Sequence, residues 1–273
     1  MSEQSRREYS LGVIGAGTMG SALVRSALQA GLLKPAQVIG SDISEARRAA
    51  FEGLGATSTD DNHHLVRSAE AVLVAVKPQV LGDVLPDLRD DFTEGQLLIS
   101  IAAGVPLAAL SEAVGPKPNL IRVMPNICCT VGAAASAYAV GEGVTEGQEE
   151  FVRELLDAAG EVVPVPEVLL NAVTGLSGSG PAFVAIFIAA LADGGVAVGL
   201  PRAEAERLAA QTALGAARWL LEQDASPAQL KDLVSSPGGT TIAGVRALEA
   251  HGFRSAVIEA VVAAARRAEE LGG

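Results

Sequence analysis

Cysteine is nearly absent from this 273-residue chain, which carries only Cys128 and Cys129. Adjacent cysteines rarely bridge, and no histidine stands at zinc-ligand spacing from them, so we predict neither a disulfide nor a metal site. We interpret both as small apolar side chains near the end of a strand. So little cysteine is typical of a reducing compartment, and we expect a cytoplasmic protein.

Positive charge is also in deficit, with 20 Lys and Arg against 32 Asp and Glu and a net charge of -12. Such a surface repels nucleic acids and anionic lipid headgroups, so we expect neither as a partner. The first ten residues, MSEQSRREYS, lack the apolar segment of a secretory signal. Residues 181–200 are apolar but interrupted by Asp193 and a glycine pair, which favours a buried helix of about 15 residues over a membrane span.

Short apolar runs alternate with helical patterns over the first part of the chain. The runs predicted as strands are 9–15, 37–42, 71–76, 96–101 and 119–124. They are apolar on both faces, as in a parallel sheet covered by helices on each side. ASAYAV and EVVPV extend the sheet around a helix near 145–159. The pattern predicts an N-terminal α/β domain, residues 1–165, with a doubly wound sheet of the Rossmann type.

After Pro166 only helical patterns remain, which predicts an all-helical second domain over residues 166–273. Two apolar stripes at helical spacing are Val257, Val261, Ala264, Ala268 and Leu271, and Leu208, Thr212, Gly215 and Trp219. A helical domain this apolar has more hydrophobic surface than one protomer covers. We therefore predict a homodimer through this domain, alone or within a higher homo-oligomer.

A glycine pattern typical of dinucleotide-binding proteins lies in LGVIGAGTMG, directly after a strand and at the head of a helix. Gly15 permits the tight turn, Gly17 lets the backbone approach a pyrophosphate, and Gly20 lets the helix pack on the strand. The loop residues predicted to bind the cofactor are Gly15, Ala16, Gly17, Thr18, Met19 and Gly20.

The second predicted strand ends in Ser41 and Asp42, where an acidic residue accepts hydrogen bonds from the adenine ribose of NAD and repels the 2′-phosphate of NADP. Arg47 and Arg48 lie one turn into the next helix. They favour NADPH if either reaches that phosphate. The alternative is that they lie on a solvated helix face. The choice between NADPH and NADH stays open.

Two further segments end strands at the edge where ligands bind in such sheets. AVKPQ supplies Val76, Lys77 and Pro78, with Lys77 either reaching the cofactor or capping the strand in solvent. RVMPN supplies Asn126, whose amide we predict on the nicotinamide side of the cofactor.

The segment SSPGGTT, residues 235–241, places serines, glycines and threonines before a helix. Free amides and hydroxyls at a helix N-terminus bind anions, which suits a substrate carboxylate. The alternative is a simple helix cap, which uses the same residue types. Six such residues exceed what a cap needs, so we favour the anion site.

In this order, the motifs GAGTMG, AVKPQ, MPN, GLSGSGPAF, ADGG and SPGGTT, followed by LE and GFR, resemble the Δ1-pyrroline-5-carboxylate reductase family over nearly the whole chain. The resemblance implies an enzyme that reduces this cyclic imine to L-proline with hydride from NADPH or NADH, the last step of proline biosynthesis. It also implies a Rossmann domain and a helical domain that interlocks with its partner. The substrate would lie between the nicotinamide and SPGGTT.

The same resemblance assigns roles to particular residues. Thr241 would face the imine as the catalytic residue, and Asn62 would contact the adenosine side of the cofactor. The further residues placed near the substrate are Ser236, Gly239 and Thr240. Asp42 departs from the serine or threonine common in the family, where NADPH is the usual cofactor.

GLSGSG, residues 175–180, lacks the glycine spacing of a nucleophile elbow, and hydride addition to an imine needs no nucleophile from the protein. We interpret Ser177 and Ser179 as cap and pocket-lining groups, Ser177 being substrate-binding, with Pro181 in the first turn of the following helix.

Two other functions fit parts of the pattern. A redox sensor that binds nicotinamide without chemistry has no need of SPGGTT. A hydroxy-acid dehydrogenase needs a lysine or histidine base on the helical domain, where the only lysine is Lys231, beside Asp232.

Overall fold

The structure is a computed structural model that describes residues 7–272. Residues 1–6, in which we expect no secretory signal, and residue 273 lie outside the described residues. The strands are β1 (Tyr9–Ile14), β2 (Val38–Ser41), β3 (Thr57–Thr59), β4 (Ala69–Val74), β5 (Leu97–Ser100), β6 (Asn119–Met124), β7 (Ala134–Val140) and β8 (Gly160–Pro164).

The helices between these strands lie on both faces of the sheet, and the later ones form the helical region. They are α1 (Thr18–Gln29), α2 (Glu45–Glu52), α3 (Asn62–Ser68), α4 (Pro78–Asp87), α5 (Leu107–Val114), α6 (Glu146–Asp157), α7 (Leu170–Val173), α8 (Gly180–Ala197), α9 (Arg202–Glu222), α10 (Pro227–Leu233), α11 (Thr240–Ala250) and α12 (Phe253–Gly272).

The strands form one sheet in the order β3-β2-β1-β4-β5-β6-β7-β8. All neighbouring pairs are parallel except β6 and β7. The first six follow the order of a doubly wound nucleotide-binding sheet, which confirms the predicted fold class. The order reverses between β1 and β4, where such sheets bind ligands beyond the carboxyl ends of the strands; we call this side the carboxyl edge.

Strand register brings the predicted cofactor segments together at that edge. Ile14, the last residue of β1, is paired with Ser41 on one side and Val74 on the other. The chain therefore leaves three neighbouring strands at one level, and the residues that follow them emerge side by side.

Alternation along β1 divides the core into two layers. Leu11 and Val13 are fully buried with α1 and α6 on one face, while Ile14 packs with the α3 and α4 residues Leu65 and Leu85 on the other. A sheet covered on both faces requires strands that are apolar throughout, which is why the runs lack alternating polar residues.

Two local expectations differ from the structure. β3 was not predicted, because its three residues, Thr57–Thr59, are polar and the strand is too short to show an alternating hydrophobic pattern. Helix α8 does not begin afresh at Pro181: a helical path runs from Leu170 through a π-helical turn at Thr174–Gly178 into α8.

The chain forms two compact units, residues up to Ser179 with 264–273, and residues 180–263. The division at 165 and 166 stays a prediction. In the second unit α8 packs on α9 through Ala192, Ala205 and Ala209, and small side chains there allow close approach of the two helices.

Most of α8 is exposed in this single chain, contrary to the buried helix expected from its composition. Val184 is 50% exposed and Ile186 is 70% exposed, and among its residues only Ala192 is buried. The helical stretch Glu167–Ala197 is long and apolar enough to cross a membrane by length and composition alone. Its apolar surface is therefore available for contact with something other than this chain.

Candidate active site

The glycine loop joins β1 to α1 through a backbone conformation that requires glycine. Gly15 has a φ of +98°. The amides of Gly15 and Ala16 donate to the carbonyl oxygen of Ser41 at 2.8 and 3.0 Å, which ties the loop to the end of β2. Gly17 then caps α1 without a side-chain hydrogen bond, so the first-turn amides of α1 stay available to an anion.

Gly17 and Gly20 lack a side chain for different reasons. A Cβ on Gly20 would lie 2.6 Å from the carbonyl oxygen of Gly15 and 3.0 Å from Val13, so Gly20 allows α1 to pack on β1. A Cβ on Gly17 would meet nothing within 4 Å among the described residues. The space over Gly17 is open, as close approach of a pyrophosphate requires.

Ser41 and Asn62, which sequence reasoning assigned separately, contact each other. The hydroxyl of Ser41 donates to the Oδ1 atom of Asn62 at 2.5 Å. Ser41 ends β2 and Asn62 begins α3, so this bond holds the start of α3 at the carboxyl edge beside the glycine loop. The Nδ2 amide of Asn62 has no hydrogen-bond partner within residues 7–272 and remains as a donor for a ligand.

Asp42 contacts Arg47 and Arg48, the two arginines that would favour the opposite cofactor preference. Its carboxylate accepts from the amide of Ser44 at 2.9 Å and lies 3.5 Å from Arg47, while Arg48 donates to its carbonyl oxygen at 2.8 Å. The Asp42 side chain is only 5% exposed. The guanidinium of Arg47 therefore lies beside the carboxylate that would repel a phosphate.

Sequence reasoning predicts a capping Asp or Ser at the head of α2 but missed the contact between Ser44 and Asp42. The amide of Ser44 holds the Asp42 carboxylate, and the residue caps the start of α2. The spacing D-x-S was a usable signal, because an aspartate commonly accepts a hydrogen bond from the amide two residues later.

Val76, Lys77 and Pro78 lie where β4 leaves the sheet. The site of a Cβ on Gly15 is 3.0 Å from Val76, which places this segment against the glycine loop. Lys77 is exposed and precedes Pro78, the first residue of α4. Its amine makes no ion pair within the described part of the chain, so both predicted roles for Lys77 remain open.

Asn126 lies at the end of β6 and is largely buried. Its Oδ1 atom accepts from the amides of Cys128 at 3.1 Å and Ala135 at 3.4 Å, and its Nδ2 atom donates to the carbonyl oxygen of Ser177 at 3.0 Å. Asn126 therefore organises the chain around it, and its predicted contact with nicotinamide stays a prediction.

The two cysteines follow Asn126 in a short helical turn, as their assignment near a strand end requires. Cys129 is buried, and its thiol lies 3.7 Å from the sulfur of Met19 in the glycine loop. Burial raises the pKa of the Cys129 thiol, which keeps it neutral and apolar in character. In the described residues, no group of three or more His, Cys, Asp or Glu side chains forms a metal-binding cluster.

Ser177 does not cap a helix, contrary to the sequence-based interpretation. It lies inside the π-helical turn, and its hydroxyl donates to the carbonyl oxygen of Val173 at 3.1 Å. A π turn leaves some carbonyl groups without a partner inside the helix. The Ser177 hydroxyl therefore donates to the earlier carbonyl of Val173, while the Ser177 carbonyl accepts from Asn126. The predicted role of Ser177 in substrate binding stays a prediction.

The SPGGTT segment lies in the second unit and forms the turn before α11. Gly238 has a φ of +68°, and the amide of Gly239 donates to the carbonyl oxygen of Ser236 at 3.0 Å. Gly239 caps α11 without any side-chain hydrogen bond. No serine or threonine side chain therefore caps α11, and the anion site stays a prediction.

The hydroxyls of Ser236, Thr240 and Thr241 make no hydrogen bond to the part of the chain that the structure describes. The first-turn amides of α11 likewise lack intrahelical partners. Hydroxyl and amide donors thus lie near one helix N-terminus, a composition suited to a carboxylate.

A doubly wound sheet with an open glycine loop at the point where its strand order reverses defines a dinucleotide-binding oxidoreductase fold. A family model described as pyrroline-5-carboxylate reductase dimerisation matches residues 167–271. A second model, described as NADP oxidoreductase coenzyme F420-dependent, matches residues 10–104.

Relatives of nearly equal length extend these matches to the whole chain. The pyrroline-5-carboxylate reductase of Methanosarcina acetivorans is 46% identical over 96% of this chain and 97% of its own. That of Synechocystis is 47% identical over 96% of this chain and 98% of its own. The chain belongs to the pyrroline-5-carboxylate reductase family, which confirms the resemblance of its motifs.

Solved structures of the family share the fold. The reductase of Coxiella burnetii aligns with a TM-score of 0.93 and 33% identity over 97% of this chain and 99% of that one. The pyrroline carboxylate reductase of Plasmodium falciparum, solved with NADP bound, aligns with a TM-score of 0.86 and 31% identity over 98% of this chain and all of that one.

Proposed function

We propose that this protein reduces Δ1-pyrroline-5-carboxylate to L-proline with hydride from NADPH or NADH. The observation that carries the proposal is the pair of donor-rich helix starts, α1 after the glycine loop and α11 after SPGGTT, in a chain of this family. One suits a pyrophosphate and the other a carboxylate.

The carboxyl edge supplies what a nicotinamide dinucleotide needs. The glycine loop, Gly15 to Gly20, receives the pyrophosphate on the first amides of α1. Ser41, Asp42 and Asn62 hold the adenosine end, with the free Nδ2 of Asn62 as a donor. Val76, Lys77 and Pro78 line the path towards Asn126 at the nicotinamide end. The bound cofactor supplies the hydride.

The turn before α11 holds the substrate. Its amides and the hydroxyls of Ser236 and Thr240 bind the carboxylate, with Gly239 at the cap of α11 beside them. Ser177 is a further substrate-binding residue of this proposal. The Thr241 hydroxyl forms a hydrogen bond with the ring nitrogen. That nitrogen takes one proton from water, and addition of hydride to the neighbouring ring carbon then gives the amine. Holding both rings in place and stabilising the changing charge supply most of the rate.

The dehydrogenase alternative loses its base in this structure. Lys231 forms an ion pair with Asp232 at 3.1 Å and lies in α10, in a capped helix. An amine that is paired with a neighbouring carboxylate on an exposed helix is not positioned as a base for a bound substrate.

Cofactor oxidation tests the reductase directly. The purified protein is mixed with NADPH or NADH, and absorbance of the reduced nicotinamide is followed after the imine is added. We expect imine-dependent oxidation and the appearance of L-proline. Cofactor oxidation without imine serves as the control, and no turnover with either cofactor would overturn the proposal.

We also propose a homodimer formed through the helical region and a cytoplasmic location. Apolar side chains on α9 and α12 are exposed in the single chain, among them Leu208 at 56% and Ile258 at 60%. Burying them against a second copy is the arrangement that the matched dimerisation model suggests.

Light scattering and fractionation test these two points. Leu208→Glu places a charge on the apolar stripe and should yield monomers, while Arg207→Glu, at the adjacent exposed position, should remain dimeric. A dimer that survives Leu208→Glu would place the interface elsewhere. Recovery of the protein with the membrane or secreted fraction of its host would contradict the cytoplasmic location.

A further inference from the structure

His63 is the second residue of α3 and follows Asn62, the residue that begins the helix at the carboxyl edge. Its imidazole lies between two carboxylates. The Nδ1 atom lies 2.5 Å from Asp91, and the Nε2 atom lies 3.2 Å from Asp87. Asp87 ends α4 and Asp91 follows it, so one side chain ties α3 to the helix that begins at the cofactor segment Lys77–Pro78.

This geometry favours a protonated ring. A neutral imidazole has one N–H and donates to one carboxylate, which leaves a nitrogen lone pair facing the other. The imidazolium donates to both. The hydrogen bond that His63 donates to Asp91, together with the negative charges of Asp91, Asp87 and Asp61, raises the pKa of His63 above 6.5, its ordinary value.

Charged groups face His63 from its own helix and from α4 with the turn that follows it. On its own helix, Asp61 caps the N-terminus by accepting from the amide of His64, and Arg67 donates to Asp91 at 2.7 Å. From α4 and the turn after it come Asp87 and Asp91. When His63 loses its proton, Asp87 has no other cationic partner among residues 7–272, and Asp91 keeps its bond to Arg67.

The same helix start carries the cofactor contact. Asn62 is held by Ser41 on one side and followed by His63 on the other, so the position of its free amide depends on both anchors. Loss of the His63 ion pairs removes the anchor to α4 while the bond to Ser41 remains. The start of α3 is then less firmly held. Binding of adenosine must order it again, which lowers the affinity.

We propose that the His63 imidazolium positions Asn62 and the start of α3 for the adenosine end of the nicotinamide cofactor. His63 is then a positioning residue whose protonation sets cofactor affinity. The inference rests on the proposed function for the identity of the ligand. Its contribution is complete below pH 6.5 and is lost as the pH rises through the raised pKa of the folded protein.

The test titrates NADPH, and separately ADP as a probe of the adenosine end alone, against the dimeric protein between about pH 6 and about pH 9. The variants are His63→Gln, His63→Arg and, as a matched control, His64→Gln. His64 is exposed, and its ring makes no hydrogen bond within residues 7–272. Steady-state assays at the same pH values separate KM from kcat.

In wild type and His64→Gln, the Kd for both ligands should rise by about two- to fivefold across the range, the size typical of a partly exposed ion pair. His63→Gln should bind with the weaker Kd at every pH. His63→Arg keeps a charge and should bind with the tighter Kd at every pH. KM for the cofactor should follow Kd, and kcat at saturating cofactor should not change.

A purely structural role predicts a different pattern, in which His63→Gln lowers the unfolding midpoint but keeps the wild-type Kd and its pH profile. That result, or a wild-type Kd that does not change with pH, would overturn the inference. The binding titration needs no turnover, so protein that binds NADPH with this profile but leaves the imine unreduced would refute the proposed reaction alone. Protein that binds neither cofactor would refute both.

Discussion

The Nδ2 atom of Asn126 donates to the carbonyl oxygen of Ser177 at 3.0 Å. This bond joins the end of β6 to the π-helical turn and so links two motifs that are 51 residues apart in the chain. Because both motifs carry predicted ligand-binding residues, the bond gives the edge of the site a defined shape before any ligand binds.

Asn126→Asp should destabilise the protein by about 1–3 kcal/mol, because it replaces the amide that donates to the Ser177 carbonyl with a buried charge. Urea denaturation at constant m-value measures the loss. Asn171→Asp is the control, since Asn171 is half-buried on α7 and its amide has no hydrogen-bond partner in the described chain. Equal stability of the two variants would mean that the Asn126 bond contributes little.

Alanine substitutions at Gly17 and Gly20 should affect different properties, namely cofactor binding at Gly17 and stability at Gly20. Gly20→Ala places a Cβ against the Gly15 carbonyl, and such overpacking costs about 1–3 kcal/mol, so thermal unfolding should occur at lower temperature. Gly17→Ala should leave the melting temperature unchanged and raise the cofactor KM about tenfold, equivalent to about 1.4 kcal/mol of lost binding. Wild-type KM in Gly17→Ala would show that the pyrophosphate does not bind over this residue.

Asp42→Ser should shift the ratio of kcat/KM for NADPH over NADH towards NADPH by about ten- to hundredfold, the range expected for one charged hydrogen bond. In the wild-type protein the Asp42 carboxylate lies 3.5 Å from Arg47. The substitution removes this carboxylate and so frees the Arg47 guanidinium. Arg47→Ala should move the ratio the other way. An unchanged ratio in Asp42→Ser would show that Arg47, Arg48 or Asn62 governs cofactor choice.

Thr241→Ala should lower kcat/KM by about ten- to thousandfold, as loss of one hydrogen bond to a developing charge does. Thr241→Ser keeps the hydroxyl and should retain most activity. Because Gly239 caps α11 without any side chain, unfolding should shift by less than about 1 kcal/mol. The Kd of NADPH should also stay at its wild-type value. Near-normal activity with reduced stability would mean that Thr241 only supports the helix start.

Sequence reasoning reached features that are encoded locally. Strands β1, β2, β4, β5 and β6 were predicted because buried parallel strands are short apolar runs, and α1 because a glycine turn precedes it. The placement of Gly15 and Gly20 likewise followed from their own spacing. Each of these signals lies within about 15 residues, so no knowledge of packing was needed.

Tertiary structure alone decided which side chains meet. The bonds of Ser41 with Asn62, of His63 with Asp91 and of Asn126 with Ser177 span 21, 28 and 51 residues. They depend on strand order and helix packing, which local periodicity does not carry. The exposure of α8 was misjudged for a related reason: composition shows that a helix is apolar, but only packing shows whether its own chain covers it.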